Sequence, residues 1–161
     1  MKKAMLLAIV VITGFSTVLV HADGVDFSGE WILSELVPLS GAARIPHVSL
    51  VIKQTGNDLS VTRHMIDEDR TIESHYTLDG TENINIEANA AGPVTIRSIS
   101  KWNNGALVLE GSSTFAGPNE DVTTKWKREY LLDDGGAVLT VTETLPTPFG
   151  EAVISRIFSR R

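Results

Sequence analysis

Three arginines stand where alternation would turn them inward. In the run Val122 to Leu132, alternate residues read Val122, Thr124, Trp126, Arg128, Tyr130 and Leu132, and the residues between them read Thr123, Lys125, Lys127 and Glu129. On a half-buried strand, successive side chains point to opposite faces, so Arg128 shares a face with Trp126 and Tyr130. The same sorting sets Arg63 with Leu59, Val61 and Met65, and Arg156 with Ala152, Ile154 and Phe158. A fourth face, Ile72, Ser74, Tyr76 and Leu78, contributes Tyr76. A guanidinium is always charged and presents five N–H donors in a planar fork that matches a carboxylate. Taking it out of water is costly unless it is paired. Two chemistries follow. Either an anionic, mostly apolar ligand is held by Arg128, Arg156 and Arg63 among Tyr76, Trp126, Tyr130 and Phe158, or carboxylates and ring faces of the protein itself answer the arginines.

Other candidate chemistry is weaker. The stretch RHMIDEDRTIESH gathers His64, Asp67, Glu68, Asp69, Glu73 and His75, which are donors of the metal-binding kind. His64 and His75 fall on outward faces and the acidic run occupies the turn between them, so a solvated hairpin tip is expected, without a metal or a haem. Ser98, Ser112 and Ser113 lack a Gly-x-Ser-x-Gly elbow and a partnered histidine, which leaves acyl transfer without support. No acid–base pair is visible by spacing, so no enzymatic activity and no cofactor are expected. The chain has no cysteine. That removes disulfides, thiolate metal sites and thiol nucleophiles together.

The elements that would position these residues read as strands throughout. Period-two alternation marks candidates at Phe27–Leu36, His47–Thr55, Asp58–Ile66, Arg70–Asp79, Asn83–Ala88, Val94–Trp102, Ala106–Phe115, Val122–Leu132, Ala137–Leu145 and Glu151–Arg160. Between them lie turn residues, among them Gly56-Asn57, Asp79-Gly80, Asn103-Asn104-Gly105 and Asp133-Asp134-Gly135-Gly136. Tight turns join only antiparallel neighbours. Eight to ten such strands therefore predict an all-β fold, an antiparallel up-and-down meander closing into a barrel, because closure removes exposed edges. A two-sheet Greek-key sandwich is the competitor, and the long crossover connections it needs are hard to find.

Ahead of the strands, Met1-Lys2-Lys3 forms a positive head, residues 4–20 are uncharged and mostly apolar, and Val20-His21-Ala22 offers small residues at a cleavage site. Residues 1–22 thus read as a secretory signal peptide cleaved near Ala22, which predicts a secreted or periplasmic protein. A membrane anchor of similar length is the alternative. Residues 23–161 suffice for a single domain. Losing Lys2 and Lys3 carries the formal charge from −6 to −8. So acidic a chain is not expected to bind nucleic acid, which calls for a basic face. A monomer is expected.

The order Phe27-Ser28-Gly29-x-Trp31 on a first strand after a signal peptide resembles the opening of the calycin superfamily, the lipocalins and fatty-acid-binding proteins. The C-terminal KWKREYLLDDGGAVLTVTE…EAVISRIFSRR resembles the last three strands of a fatty-acid-binding protein, and SKWNNGALVLEG fits as well. The resemblance extends over most of residues 26–161, with small secreted bacterial lipocalin-like barrels the nearer comparison. It implies that Gly29 and Trp31 close one end of the barrel near a basic residue of the last strand, for which Arg156 is the candidate by cation–π contact. It also implies that Arg128 and Arg156 receive a ligand carboxylate. Two departures stand out. Only about ten residues, Val37 to Pro46, separate the first two strands, which leaves no room for a two-helix lid; and the usual final Arg-x-Tyr is Arg156-Ile157-Phe158. The functional expectation is a lipocalin-like barrel that binds or carries a small hydrophobic molecule. The alternative is an interaction or structural module whose barrel is filled by its own side chains.

Overall fold

A computed structural model describes residues 25–37, 45–89 and 92–161. The expected signal peptide lies outside the described residues. Ten strands follow in order: β1 (Gly29–Val37), β2 (Val48–Thr55), β3 (Asp58–Met65), β4 (Arg70–Thr77), β5 (Glu82–Asn89), β6 (Gly92–Asn103), β7 (Ala106–Ala116), β8 (Asp121–Leu132), β9 (Val138–Thr147) and β10 (Gly150–Arg160). A single turn of 3-10 helix, Ile66–Glu68, links β3 to β4. Every ladder is antiparallel, and the sheet runs β4-β3-β2-β1-β10-β9-β8-β7-β6-β5. It is the expected up-and-down barrel. The hairpins turn where the chain allows positive φ, as at Asn104 (48°) and Gly105 (83°) between β6 and β7. Between β8 and β9 the Asp133 carboxylate accepts from the backbone N–H groups of Ala137 and Val138, both at 2.8 Å.

The barrel is closed covalently in neither place where its ends meet, and the two places differ. β1 pairs with β10 through a regular ladder that sets Trp31 opposite Arg160 and Leu33 opposite Phe158, with one bulge before Glu35. β4 and β5 share no ladder. Their seam is bridged by side-chain amides that imitate peptide groups. Asn85 accepts from the His75 N–H (2.8 Å) and donates to the His75 carbonyl (2.9 Å), and Asn83 does the same for Thr77 at 2.6 and 3.3 Å. β5 consequently turns its asparagines inward and leaves Ile84 and Ile86 54% and 71% exposed, the reverse of ordinary patterning. Complete removal of sheet edges, expected from closure, is thus achieved at β1–β10 and only substituted for at β4–β5.

Opposite the β1–β2 and β9–β10 loops, the barrel end is solid. Phe27, Trp31, Leu107, Leu109 and Leu139 are fully buried there. Phe27 stacks on Trp102 (5.9 Å between centroids, 4° between planes) and tilts against Tyr130 at 6.1 Å. The Trp31 indole N–H donates to the Phe27 carbonyl at 3.1 Å. The guanidinium over the Trp31 ring is that of Arg160, 4.5 Å from the centroid, and not Arg156. Register decides this: Arg156 pairs with Leu36, near the far end of β1, about 13 Å along the strand from Arg160 at some 3.3 Å per residue. Gly29 is needed in that corner, since its φ is +149° and a Cβ there would lie 3.2 Å from Arg160 Nη1.

Gly111 on β7 does similar service for the middle of the barrel. It faces Trp126 on one side and Ser98 on the other, and a Cβ would meet the Arg97 carbonyl and lie 2.9 Å from both Ser98 Cβ and Trp126 Cζ2. Gly111→Ala is expected to destabilise by about 1–3 kcal/mol, the range of overpacked cores. It should also shift the Trp126 fluorescence. Thermal melts paired with emission spectra check both.

Candidate functional site

The other end of the barrel is hollow. A cavity of about 230 Å³ lies under the β2 entry and the β3–β4 turn, with Leu50, Val61, Ile72, Val141 and Phe158 as its apolar wall. Arg63, Tyr76, Arg128, Tyr130 and Arg156 supply the polar part of the same lining. A second space of about 310 Å³ adjoins it on the β6–β9 side, lined among others by Ser113, Trp126 and Glu143. Arg63, Glu87 and Arg128 belong to both. The alternation that sorted each strand thus places six of the seven ligand-binding candidates on one cavity. The seventh, Trp126, lines the neighbour, where its N–H donates to Ser113 Oγ at 3.0 Å.

The shared wall is a layer of ionised groups. Arg128 Nη2 donates to Glu143 Oε1 at 2.8 Å, and Arg156 Nη1 donates to Glu143 Oε2 at 3.0 Å. Arg128 and Glu143 are directly opposed on β8 and β9, and Arg156 reaches the carboxylate diagonally from β10. The Arg128 guanidinium also lies 5.1 Å from the Trp126 ring centroid. Arg63, reaching from β3 past β4, stands 3.6 Å from Glu87 on β5. Three guanidiniums therefore meet two carboxylates in this layer, and two further carboxylates, Asp67 and Glu68, line the cavity nearer its mouth.

The electrostatics follow from burial and pairing. Burial pushes the Glu143 carboxyl up, but the guanidiniums of Arg128 and Arg156 outweigh it and hold the group below the usual carboxylate range. Burial likewise opposes the Arg128 charge, and the neighbouring Tyr130, Tyr76 and Glu143 more than offset it. Tyr76 is pushed up to about 12, chiefly by burial, and so stays a neutral phenol in the cavity wall.

Solved structures of other proteins share this arrangement of strands. Zebrafish ileal bile acid-binding protein, in complex with cholic acid, superposes with a TM-score of 0.61 over 84% of this chain and 98% of its own, at 18% identity. The two share a fold. A secretory abundant heat soluble protein of Ramazzottius varieornatus matches the barrel with a TM-score of 0.59 over 83% of the chain and 94% of its own, at 15% identity. Apo lipid binding protein 8 of Caenorhabditis elegans gives 0.58 over 84% and 95%, at 14% identity. No protein-family model matches the chain, and no curated protein matches it in sequence.

Three residues that the geometry brings to the cavity wall and the closed end, Glu143, Glu87 and Arg160, were not singled out from the sequence. Glu143 was legible in principle, since Leu139, Val141, Glu143 and Leu145 alternate on one face. Glu87 sits on the inverted strand β5, where isoleucines mislead the sorting. Arg160 shares its face with Arg156, and alternation cannot choose between them. At the cavity mouth His47 pairs with Asp67 at 3.0 Å, and away from it His64 pairs with Thr71 at 3.0 Å and His75 with Glu73 at 3.4 Å. Among the described residues no group of three or more metal-ligating side chains converges.

Proposed function

We propose that this calycin barrel binds and carries a small, mostly apolar ligand outside the cytoplasm, after loss of residues 1–22, as a monomer and without catalysing a reaction. The hollow half of the barrel carries this reading: an apolar wall faces a layer in which three guanidiniums meet two carboxylates. The size of the cavity bounds the ligand. At the ~30 Å³ that a water-sized group occupies in a liquid, 230 Å³ holds on the order of eight heavy atoms, so a medium-chain amphiphile fits without rearrangement. The bile acid in the zebrafish relative's complex and the lipid in the nematode protein's name belong to the same broad class of amphiphiles.

The plugged end argues against a through-channel and for a cup that loads from the β3–β4 side. Purified protein beginning after Ala22 should take up one equivalent of 1-octanol or octanoate, seen by titration calorimetry and native mass spectrometry. Failure to bind any member of a panel of six- to eight-carbon alcohols and acids (at about one heavy atom per 30 Å³, the cavity's range) would overturn the proposal.

A further inference from the structure

The ligand reading leaves open which arginine meets the headgroup, and the hydrogen bonds discriminate among the three. Resting on that reading, we propose that Arg63 is the headgroup receptor of the cavity, and that the headgroup is a single anion such as a carboxylate or sulfonate.

Arg128 and Arg156 already have their acceptors. Each donates to one oxygen of Glu143 at hydrogen-bond length, and Arg128 is also covered by the Trp126 ring. An incoming anion at either guanidinium would share it with the buried Glu143 carboxylate and meet that like charge at close range. Arg63 is in the opposite situation. Its single ion pair, with Glu87, is stretched to 3.6 Å, and among the described residues it makes no hydrogen bond. Its Nε is buried and has no partner. One buried donor without an acceptor, on a guanidinium whose nearest carboxylate is beyond hydrogen-bond length, is an unsatisfied group in the cavity wall. Glu87 meanwhile accepts from Ser74 Oγ at 3.3 Å, which helps keep its carboxylate off Arg63.

Position and charge agree with this assignment. Arg63 pairs with Leu50 on one side and Ile72 on the other, both in the apolar wall, so a chain lying along that wall ends at the guanidinium. Within the layer itself three guanidiniums face two carboxylates, while Asp67 and Glu68 stand nearer the mouth, so the positive end of the cavity lies at the arginines. An alcohol hydroxyl offers the guanidinium one uncharged acceptor oxygen, whereas a carboxylate matches the fork with two oxygens that share a negative charge.

The test compares octanoate with 1-octanol at pH 7 by titration calorimetry. Wild-type protein should bind octanoate at least about tenfold more tightly, the scale of a hydrogen bond to a charged group. Arg63→Met should bring the two affinities together while leaving octanol binding within about twofold. Glu87→Gln, which keeps the acceptor for Ser74 and removes the competing charge, should raise octanoate affinity without moving octanol. It also serves as the deciding variant if Arg63→Met does not fold. Equal affinity of acid and alcohol for the wild type, persistent discrimination in Arg63→Met, or unchanged octanoate affinity in Glu87→Gln each overturns Arg63 as receptor while leaving an apolar carrier in place. Binding of neither compound by the wild type overturns the carrier reading itself, and the headgroup site with it.

Discussion

Trp31→Ala is expected to lower stability by about 3–5 kcal/mol, the range for truncating a large buried aromatic. Trp31 is 0% exposed and holds the closed end together through three separate contacts. Its ring packs into the core with Phe27 and Phe158, its N–H satisfies the Phe27 carbonyl, and its outer face carries the Arg160 guanidinium. Truncation would open a cavity and strand a carbonyl at once. Arg160→Leu should matter far less, about 0.5–1 kcal/mol, because that side chain is solvent-exposed and contributes a surface cation–π contact. Arg156→Leu should leave the closed end unaffected. Urea unfolding of the three variants decides the matter; a loss below about 1 kcal/mol for Trp31→Ala would show that the end of the barrel is not held by this residue.

Glu143→Leu is expected to be comparably damaging, about 3–5 kcal/mol, because removing one partner of a buried ion pair leaves charge uncompensated. Here a single carboxylate, only 13% exposed, answers two guanidiniums. Arg128 suffers more than Arg156, whose side chain is the more exposed of the two. The triple variant Arg128→Leu/Glu143→Leu/Arg156→Leu should recover most of the loss, since an apolar replacement of a whole buried ionic group is often neutral or better. Acid adds an independent readout. The Glu143 pKa is depressed on folding, so its contribution is present above the ordinary value of 4.5 and is lost as pH falls through the lower folded value. Wild-type stability should therefore drop more steeply below about pH 4.5 than that of Glu143→Gln. Parallel slopes in that window would mean the carboxylate is not held by the arginines.

The strands were legible because their signals are local. Turn residues such as Asn104-Gly105 and Asp133 to Gly136 bound each hairpin, and alternation assigned faces well enough to place Arg63, Tyr76, Arg128, Tyr130 and Arg156 around one space. What alternation lacks is height along the barrel. Arg156 and Arg160 face the same way, and only the pairing of β10 with β1, between opposite ends of the chain, sets one over Trp31 and the other beside Glu143. The faces of β5 follow a different rule. A strand with no ladder on one side answers to the backbone groups of its neighbour, and Asn83 and Asn85 were drawn inward to meet them while Ile84 and Ile86 were left outside.

The seam between β4 and β5 also bears on how the chain finds its structure. Eight of the nine ladders are hairpins between strands adjacent in sequence, and the ninth joins β1 to β10. Because the seam needs no ladder, the chain falls into two meanders, β1–β4 and β5–β10, each of which can assemble through short-range contacts. Only one event has high contact order: docking the first strand on the last, against the loop-closure entropy of nearly the whole folded chain. That docking brings Trp31 to Arg160 and Leu33 to Phe158, and it is expected to limit the rate of folding. The Trp31→Ala loss should then appear mainly as slower refolding, with little change in the unfolding limb of a chevron plot.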